Sequence, residues 1–239
     1  MLIKNVKNDF FDLDKAGQPS ISFINSPSNF ATTIVEQINN DIYKIVENYV
    51  DKDSIVVDAG ANIGYFSYYI SPIVKEIHCF EPTPDTFKIL ELIKESADLS
   101  NLVLNQAALG RHTGKCAFSI CPENETMNSI EGLNGSAKNM YEQSIEVDCY
   151  TLVDYLNNNK IDKVDFIKID IEGGEKHVLF DRSFEDLNGR IGALLIEVHL
   201  FDEHVTLQSS LESVTGRLSE CGYVCNVLSH DTILATYPT

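Results

Sequence analysis

The stretch from Ser54 to Glu81 constrains the fold more than any other part of this 239-residue chain. It begins with the apolar run Ile55 to Val57, which is typical of a buried parallel strand. Asp58 ends this run, and small residues up to Gly64 then allow the backbone to turn sharply and approach a ligand closely. A helical pattern and a second strand, Glu76 to Phe80, follow before the final acid. A strand, a glycine turn, a helix, a strand and an acid together predict the mononucleotide-binding half of a doubly wound fold.

The spacing of the turn indicates which ligand it can hold. A dinucleotide fingerprint is G-x-G-x-x-G, whereas here Asp58 stands where the first glycine would be, and three residues separate Gly60 from Gly64. A carboxylate is a poor neighbour for a pyrophosphate, but it suits a ligand with a cationic part, such as the ammonium and sulfonium of S-adenosylmethionine. Glu81 could accept hydrogen bonds from both ribose hydroxyls. The alternative is a plain strand, turn and helix with a chance acid.

The rest of the chain alternates between helical and strand patterns, which predicts one α/β domain of ordinary size. Helices are indicated over Asn29 to Val50, Asp85 to Ser96, Thr151 to Asn158 and Thr206 to Cys221, and strands over Leu102 to Leu104, Val164 to Ile169, Ile191 to Val198, Tyr223 to Leu228 and Thr232 to Tyr237. We therefore expect a doubly wound, mostly parallel seven-stranded sheet with an antiparallel C-terminal strand. Residues 1–50 would form an arm and a cap helix, and residues 51–239 would form the main domain. Tyr43 of the cap helix either reaches the cofactor or packs against the domain.

One section departs from this alternation. Lys115 to Ile120 and Ser144 to Cys149 each alternate between apolar and polar residues, which predicts a β-hairpin inserted in the domain. Residues 121–143 between them are rich in Asn, Ser, Glu and Gly and are too long for a routine connection. They are a candidate lid or substrate loop, and disorder is the competing interpretation.

Polar residues also follow other predicted strands, at the edge of the sheet that faces the ligand in a doubly wound fold. One strand is followed by Asp170 and Glu172. Another ends with Glu197 and His199, which point the same way because they are two residues apart on a strand. Gln106 follows the third strand at the same edge, where it could hydrogen-bond an adenine or cap a turn.

Composition narrows the classes of function. The formal net charge is -18, and so acidic a surface repels phosphate backbones and anionic lipid, which argues against nucleic-acid and membrane partners. No apolar run approaches the roughly 20 residues that a membrane span needs, and no signal-peptide pattern opens the chain. The six cysteines form no C-x-x-C pair, so neither a zinc ribbon nor a redox motif is indicated. We expect reduced thiols and a cytoplasmic location.

The chain resembles the FkbM family of methyltransferases in five segments, which are VVDAGANIGYFS, FEPTPDTF, NQAALG, FIKIDIEGGE and IEVH. The resemblance runs from about Asp53 to Leu200, and KIDIEGGE followed by IEVH is its most specific part. It implies the Rossmann-like class I methyltransferase fold, S-adenosylmethionine as cofactor, and methylation of a hydroxyl on a sugar, a polyketide or a related metabolite. The N-terminal arm, the 121–143 loop and the C-terminal helix match no motif, and we expect them to select the substrate.

The resemblance also implies roles for individual residues. The methionine-binding loop would consist of Asp58, Gly60, Ala61, Asn62 and Gly64, with Glu81 as the ribose acid and Gln106 and Ala107 as the adenine wall. Asp170 would stand beside the sulfonium and the substrate. Glu172, Glu197 and His199 would line the acceptor side.

Methyl transfer from a sulfonium is an in-line displacement, so the acceptor oxygen must be held behind the methyl carbon and must lose its proton. His199 is the first candidate for the base, because its usual pKa of about 6.5 lies near the working pH, and Asp170 is the second. Glu197 could orient His199, which could instead be a structural histidine. Asp170, Glu197 and His199 could alternatively hold a divalent cation, which would acidify the acceptor hydroxyl.

Two other functions compete with methyl transfer. The first is a nicotinamide-dependent oxidoreductase on a similar sheet, against which Asp58 and the glycine spacing count. The second is a non-catalytic relative that binds a ligand or a partner, against which the complete set of polar residues at the strand ends counts. The sequence carries no signal for an oligomeric state.

Overall fold

The computed structural model describes residues 12–13, 19–20, 42–121, 127–130, 143–202 and 204–238. Its strands are β1 (Asp12–Leu13), β2 (Pro19–Ser20), β3 (Ile55–Ala59), β4 (Glu76–Phe80), β5 (Leu102–Asn105), β6 (Ala107–Leu109), β7 (Gly114–Ile120), β8 (Ser129–Ile130), β9 (Gln143–Tyr150), β10 (Val164–Ile169), β11 (Ile191–Glu197), β12 (Val224–Val227) and β13 (Thr232–Thr236). Its α-helices are α1 (Tyr65–Ile70), α2 (Pro84–Ser96), α3 (Leu152–Asn158), α4 (Glu175–Leu179) and α5 (Leu207–Glu220). Shorter 3₁₀ helices cover Ile42–Asn48, Ser71–Ile73 and Arg182–Leu187.

Seven strands form one sheet in the order β12-β13-β11-β10-β3-β4-β5. Neighbouring strands from β11 to β5 are parallel, whereas β13 runs antiparallel to both of its neighbours. This confirms the predicted doubly wound sheet with its antiparallel C-terminal strand. The chain moves outward in opposite directions from β3 and β10, so the point where the strand order reverses lies between these two strands, where such sheets bind ligands.

Two apolar cores cover the two faces of this sheet. Val57 and Ile167 belong to the core on one face, with α3, α4 and α5, whereas Val56 and Phe166 belong to the core on the other face, with α1 and α2. All four side chains are fully buried. Successive residues of a strand point to opposite faces, so a strand covered on both sides needs an unbroken apolar run.

A smaller sheet with the order β6-β9-β7-β8 is inserted after β5. Its strands β7 and β9 pair antiparallel from Gly114 and Cys149 to Ile120 and Gln143, which confirms the predicted hairpin. The hairpin is extended by β6, which is parallel to β9, and by β8, which is antiparallel to β7. Residues 122–126 and 131–142 of the predicted lid lie outside the described residues.

The N-terminal expectations fall mostly outside the described residues. Of the predicted helix from Asn29 to Val50, the structure describes only the end, where Ile42–Asn48 is a 3₁₀ helix. Tyr43 and Val46 of this segment are buried against the core on the α1 side. The division into an arm and a main domain stays a prediction. No helix in the described part of the chain is both long enough and apolar enough to cross a membrane.

Candidate active site

A cleft lies at the carboxyl ends of β3, β4 and β10, where the strand order reverses. It encloses about 1050 Å³, counting the part that is open to solvent. Eight of the predicted site residues line it, namely Gly60, Ala61, Asn62, Glu81, Ala107, Asp170, Glu172 and Glu197. Asp58, Gly64, Gln106 and His199 are not among its lining residues.

The turn after β3 brings the backbone against the end of β10. The N–H groups of Gly60 and Ala61 both donate to the carbonyl oxygen of Phe80, at 3.1 and 2.8 Å. Gly60 has φ +77°, and a Cβ atom at this position would lie 1.8 Å from the carbonyl oxygen of Asp170. Only glycine fits a left-handed backbone so close to another chain segment. The first wall of the cleft is therefore made of main chain.

Lys168 joins the two central strands beneath this turn. Its Nζ donates to the carbonyl oxygen of Gly60 at 2.9 Å and lies 3.1 Å from Asp170 Oδ2 and 3.6 Å from Asp58 Oδ1. Burial lowers the pKa of Lys168, but the charges of Asp170 and Asp58 outweigh burial, so the pKa lies above its usual value. Lys168 is therefore a buried cation shared by two carboxylates.

Asp58 supports the turn from below rather than from within the cleft. Its side chain is fully buried, and its Oδ2 accepts a hydrogen bond of 2.6 Å from Ser67 Oγ. Burial raises the pKa of Asp58, while Lys168 opposes the rise. Its Oδ1 has no hydrogen-bond partner among the described residues. The sequence suggested that the Asp58 carboxylate would face a cationic ligand. In the structure Lys168 faces it.

Glu81 follows β4 and lies on the floor of the cleft, with 6% of its surface exposed. Its Oε1 accepts from the Thr83 N–H at 2.7 Å, and its Oε2 accepts from the Asn62 N–H at 3.1 Å. Burial raises the pKa of Glu81 to about 7, although both N–H groups oppose the rise. Each carboxylate oxygen can accept a second hydrogen bond, which suits a pair of ligand hydroxyls.

His199 lies among three glutamates behind the cleft wall. Its Nδ1 is 3.0 Å from Glu175 Oε1, and its Nε2 is 3.3 Å from Glu172 Oε2 and 3.9 Å from Glu197 Oε1. Burial alone would lower the pKa of His199, but Glu175 and Glu172 raise it well above its usual value. An imidazolium has no nitrogen left to accept a proton. This environment counts against His199 as the base, a role that stays a prediction.

The carboxylates of this group respond to one another. Burial raises the pKa of Glu172 to about 8, with His199 opposing and Asp170 adding to the rise. The charge of Asp170 and burial raise the pKa of Glu197 to about 7. The pKa values rise because neighbouring carboxylates repel one another and few positive charges balance them. Asp170, Glu172 and Glu197 reach the cleft, so carboxylates rather than an imidazole line this part of it.

Gln106 is placed away from the cleft. It lies between β5 and β6, and its side chain is exposed, whereas the next residue, Ala107, is buried and lines the cleft. Side chains alternate in extended backbone, so only one of these two neighbours can face the ligand. Ala107 therefore lines the cleft and Gln106 does not, and the adenine wall stays a prediction.

Several cleft residues were not predicted from the sequence, namely Thr83, Phe118, Asn128, Ile130 and Lys168. Lys168 could have been predicted. It is a cation within an apolar strand, two residues before Asp170, so its side chain points to the same face as that acid. Phe118, Asn128 and Ile130 come from the inserted sheet, which carries no motif. Tyr43 both packs edge-on against Phe66, with ring centroids 5.1 Å apart, and lines the cleft.

The reversal point, the close glycine turn and the buried acid after β4 define a doubly wound protein that binds a nucleoside cofactor. Residues 58–225 match the family described as the Methyltransferase FkbM domain. This match covers well over half of the chain, which therefore belongs to the FkbM methyltransferase family. Membership of this family identifies S-adenosylmethionine as the cofactor.

Relatives and a solved structure agree with this family. Methyltransferase 1 of Beauveria bassiana is 33% identical over 53% of this chain and 57% of its own length. The hexuronic acid methyltransferase AglP of Haloferax volcanii is 22% identical over 66% of this chain and 62% of its own length. The chain thus spans about three fifths of these relatives. The crystal structure of methyltransferase FkbM from Methylobacillus flagellatus KT shares the fold, with a TM-score of 0.51 and 17% identity over 87% of this chain and 61% of that one.

Proposed function

We propose that this protein transfers a methyl group from S-adenosylmethionine to a hydroxyl of a small molecule such as a sugar, a polyketide or a related metabolite. One observation carries the proposal. In a chain of the FkbM family, the buried carboxylate of Glu81 and the acids Asp170 and Glu197 line the same cleft, at the ends of strands on the two sides of β3. Membership of this methyltransferase family counts against the alternative function, a nicotinamide-dependent oxidoreductase.

The residues of the cleft fit the cofactor. The main chain at Gly60 packs directly against the backbone of Asp170 and lines the cleft, and Glu81 retains acceptor capacity for two ribose hydroxyls. Ala107, Phe118 and Ile130 provide apolar surface for an adenine ring. When bound, S-adenosylmethionine supplies an electrophilic methyl carbon attached to a sulfonium.

The acceptor side has to orient a hydroxyl and remove its proton. Lys168 fixes Asp170 through Oδ2, so we assign proton uptake to the other carboxylate oxygen, Oδ1. Glu197 lines the same region and would help to hold the acceptor. His199 keeps Glu172 and Glu197 in place through its contacts with both carboxylates. Much of the acceleration would come from holding the acceptor in line with the methyl group.

The name of one relative suggests where the acceptor search should begin. AglP is called a hexuronic acid methyltransferase, so a sugar is the first acceptor class to test. The acids that line this cleft would repel a carboxylate substituent, whereas a neutral hydroxyl meets no such repulsion. Among the described residues, the only basic side chain that lines the cleft is Lys168, which is already paired with Asp170. We therefore expect neutral sugars to be preferred over uronic acids.

Calorimetric titration with S-adenosylhomocysteine, with NADH as the control ligand, tests the cofactor. We expect binding of the first compound alone, and binding of NADH alone would refute the proposal. Radiolabelled methyl transfer to a panel of neutral sugars, uronic acids and polyketides then tests the acceptor. Asp170→Asn should lower turnover roughly 10²–10⁴-fold and weaken cofactor binding far less. The exposed helix variant Glu91→Gln is the control, with both properties unchanged.

We also infer that the protein works in a reducing compartment such as the cytoplasm. All six cysteines are described, and none of them forms a disulfide bond. Disulfides are rare in reducing compartments. Mass spectrometry of protein alkylated under native and denaturing conditions should therefore find six reduced thiols.

A further inference from the structure

We propose that Asp170, Glu172 and His199 bind one divalent metal ion in the wall of the cleft, which Asp170 and Glu172 line and behind which His199 lies. One ligand atom from each of these residues lies within 4.8 Å of the others. Two ligands on opposite sides of an ion at roughly 2.2 Å are ~4.4 Å apart, so a small contraction brings all three into coordination. The site differs from the set predicted from the sequence in using Glu172 in place of Glu197.

Glu175 prepares His199 for this role. Its Oε1 pairs with Nδ1 of the imidazole at 3.0 Å, so Nε2, on the side of Glu172, is the nitrogen that would release its proton and bind the ion. The same oxygen accepts from the N–H groups of Ile171 and Gly173, both at 3.2 Å, so it is fixed in place. Histidines that bind metals nearly always have such a carboxylate or carbonyl partner on the second nitrogen, which selects the tautomer.

The second oxygen of Glu175 provides an independent indication. Glu175 is fully buried, and its Oε2 has no hydrogen-bond partner among the described residues. A buried carboxylate oxygen without a partner is uncommon in folded proteins and needs a compensating charge nearby. Once His199 has given up its proton to bind a divalent ion, that ion would supply the charge.

The balance of charge around the site points the same way. Four carboxylates meet here, those of Asp170, Glu172, Glu175 and Glu197, and within the described residues the cations that face them are His199 and Lys168. Lys168 is also shared with Asp58. Acids in excess of cations are costly in such a site, and a divalent ion that displaces one proton from His199 would reduce the imbalance by one charge.

The ligand atoms indicate the class of ion. Two carboxylate oxygens and one imidazole nitrogen suit Mn²⁺ or Fe²⁺ better than Mg²⁺ or Ca²⁺, which prefer oxygen alone. Three protein ligands leave positions open on the ion. If the proposed function is correct, a hydroxyl of the acceptor would occupy one of them and be acidified there. Binding of the ion itself does not rest on the proposed function.

Titration of the protein with Mn²⁺, followed by the paramagnetic resonance signal of the unbound ion, tests the site directly. We expect one ion per chain, with affinity at least tenfold weaker in Glu172→Gln and 10–100-fold weaker in Glu175→Gln. Glu91→Gln removes one exposed charge and should bind as the wild type does. Binding of S-adenosylhomocysteine to each variant shows that its fold is intact and reports separately on the proposed function.

A second measurement needs no variant. Mn²⁺ added below stoichiometry should broaden the assigned ring resonances of His199 before those of His112, which is exposed on the turn before β7. Equal broadening of both histidines would mean that the ion is held by the acidic surface, and this would overturn the proposal. Absence of saturable binding, or the same affinity in Glu172→Gln and wild type, would overturn it as well. Either result could occur with S-adenosylhomocysteine still bound, so the two proposals can fail independently.

Discussion

Glu81 should make both stability and cofactor affinity depend on pH near neutrality. Its carboxylate is almost completely buried, and burial raises its pKa from the usual 4.5 to about 7 despite two backbone hydrogen bonds. The folded protein therefore binds more protons than the unfolded chain between these two values. It follows that the contribution of Glu81 to the free energy of unfolding is fully present below pH 4.5 and is lost as the pH rises through about 7.

The size of this effect follows from the two pKa values. One pKa unit corresponds to 1.36 kcal/mol, so the interval from 4.5 to about 7 amounts to ~3 kcal/mol. Replacement of Glu81 by Gln removes the titration but keeps the shape of the side chain. Its amide presents an NH₂ group to one of the two N–H donors, which lowers stability by an amount that does not vary with pH.

Urea unfolding of wild type and Glu81→Gln at pH 5, 6, 7 and 8 measures the contribution. The difference between their free energies of unfolding should shift in favour of Glu81→Gln by ~2.5 kcal/mol from pH 5 to pH 8, because part of the effect is already lost at pH 5. Glu91→Gln, at an exposed position of α2, should track the wild type throughout. A Glu81→Gln difference that stays constant within about 0.5 kcal/mol would refute the raised pKa, because the titrations of other groups cancel in the comparison.

The titration of Glu81 should have the opposite effect on cofactor affinity, which should rise with pH. The charged carboxylate is the better acceptor for ribose hydroxyls, so S-adenosylhomocysteine should bind wild type more weakly at pH 6 than at pH 8. Glu81→Gln should bind roughly 10–100-fold more weakly at pH 8 and should show little dependence on pH. Equal pH dependence in both proteins would assign the effect to another group.

Three further predictions concern the core and the cleft. Lys168→Met should lower the free energy of unfolding by ~3–5 kcal/mol because it leaves two buried acids unbalanced, and adding Asp58→Asn should restore part of the loss in the same urea assay. Gly60→Ala should abolish calorimetric binding of S-adenosylhomocysteine, since its Cβ would lie 1.8 Å from the carbonyl oxygen of Asp170; normal affinity would show that the turn is not part of the site. Leu156→Ala, in the centre of one core, should cost ~2–5 kcal/mol in urea unfolding and leave that affinity unchanged, and a smaller cost would mean that the core closes around the gap.

The elements around the cleft could be predicted because their signals are local. The unit from β3 to β4 combines apolar runs, a glycine turn and a terminal acid within one short stretch, and the structure has β3 at Ile55–Ala59 and β4 at Glu76–Phe80. The sequence predicted only part of the inserted sheet, namely the hairpin of β7 and β9. Strand β6 has three residues, Ala107–Leu109, and its partner β9 begins at Gln143, so pairing that is distant in sequence creates the strand.

The environment of His199 shows a different limit of sequence reasoning. The pairing of Glu197 and His199 on one strand edge followed from the side-chain period of two. Glu175 comes from the first residue of α4, and no pattern in the sequence brings this helix to the imidazole. Yet it is Glu175, together with Glu172, that raises the pKa of His199 and removes its capacity to accept a proton. Residue types at a strand end predict which groups meet, whereas their protonation depends on neighbours from other elements.

Lys168 couples the cofactor side of the cleft to the acceptor side. In the parallel pairing of β3 and β10 it lies directly opposite Asp58, and its ammonium group reaches both the Gly60 carbonyl and Asp170. These contacts draw the loop that would hold methionine and the acid that would face the acceptor toward one cation. A change of charge at Asp170 must then alter how strongly Lys168 holds Asp58 and the Gly60 turn. Proton uptake or metal binding on the acceptor side should therefore be felt by the cofactor loop without any movement of the sheet.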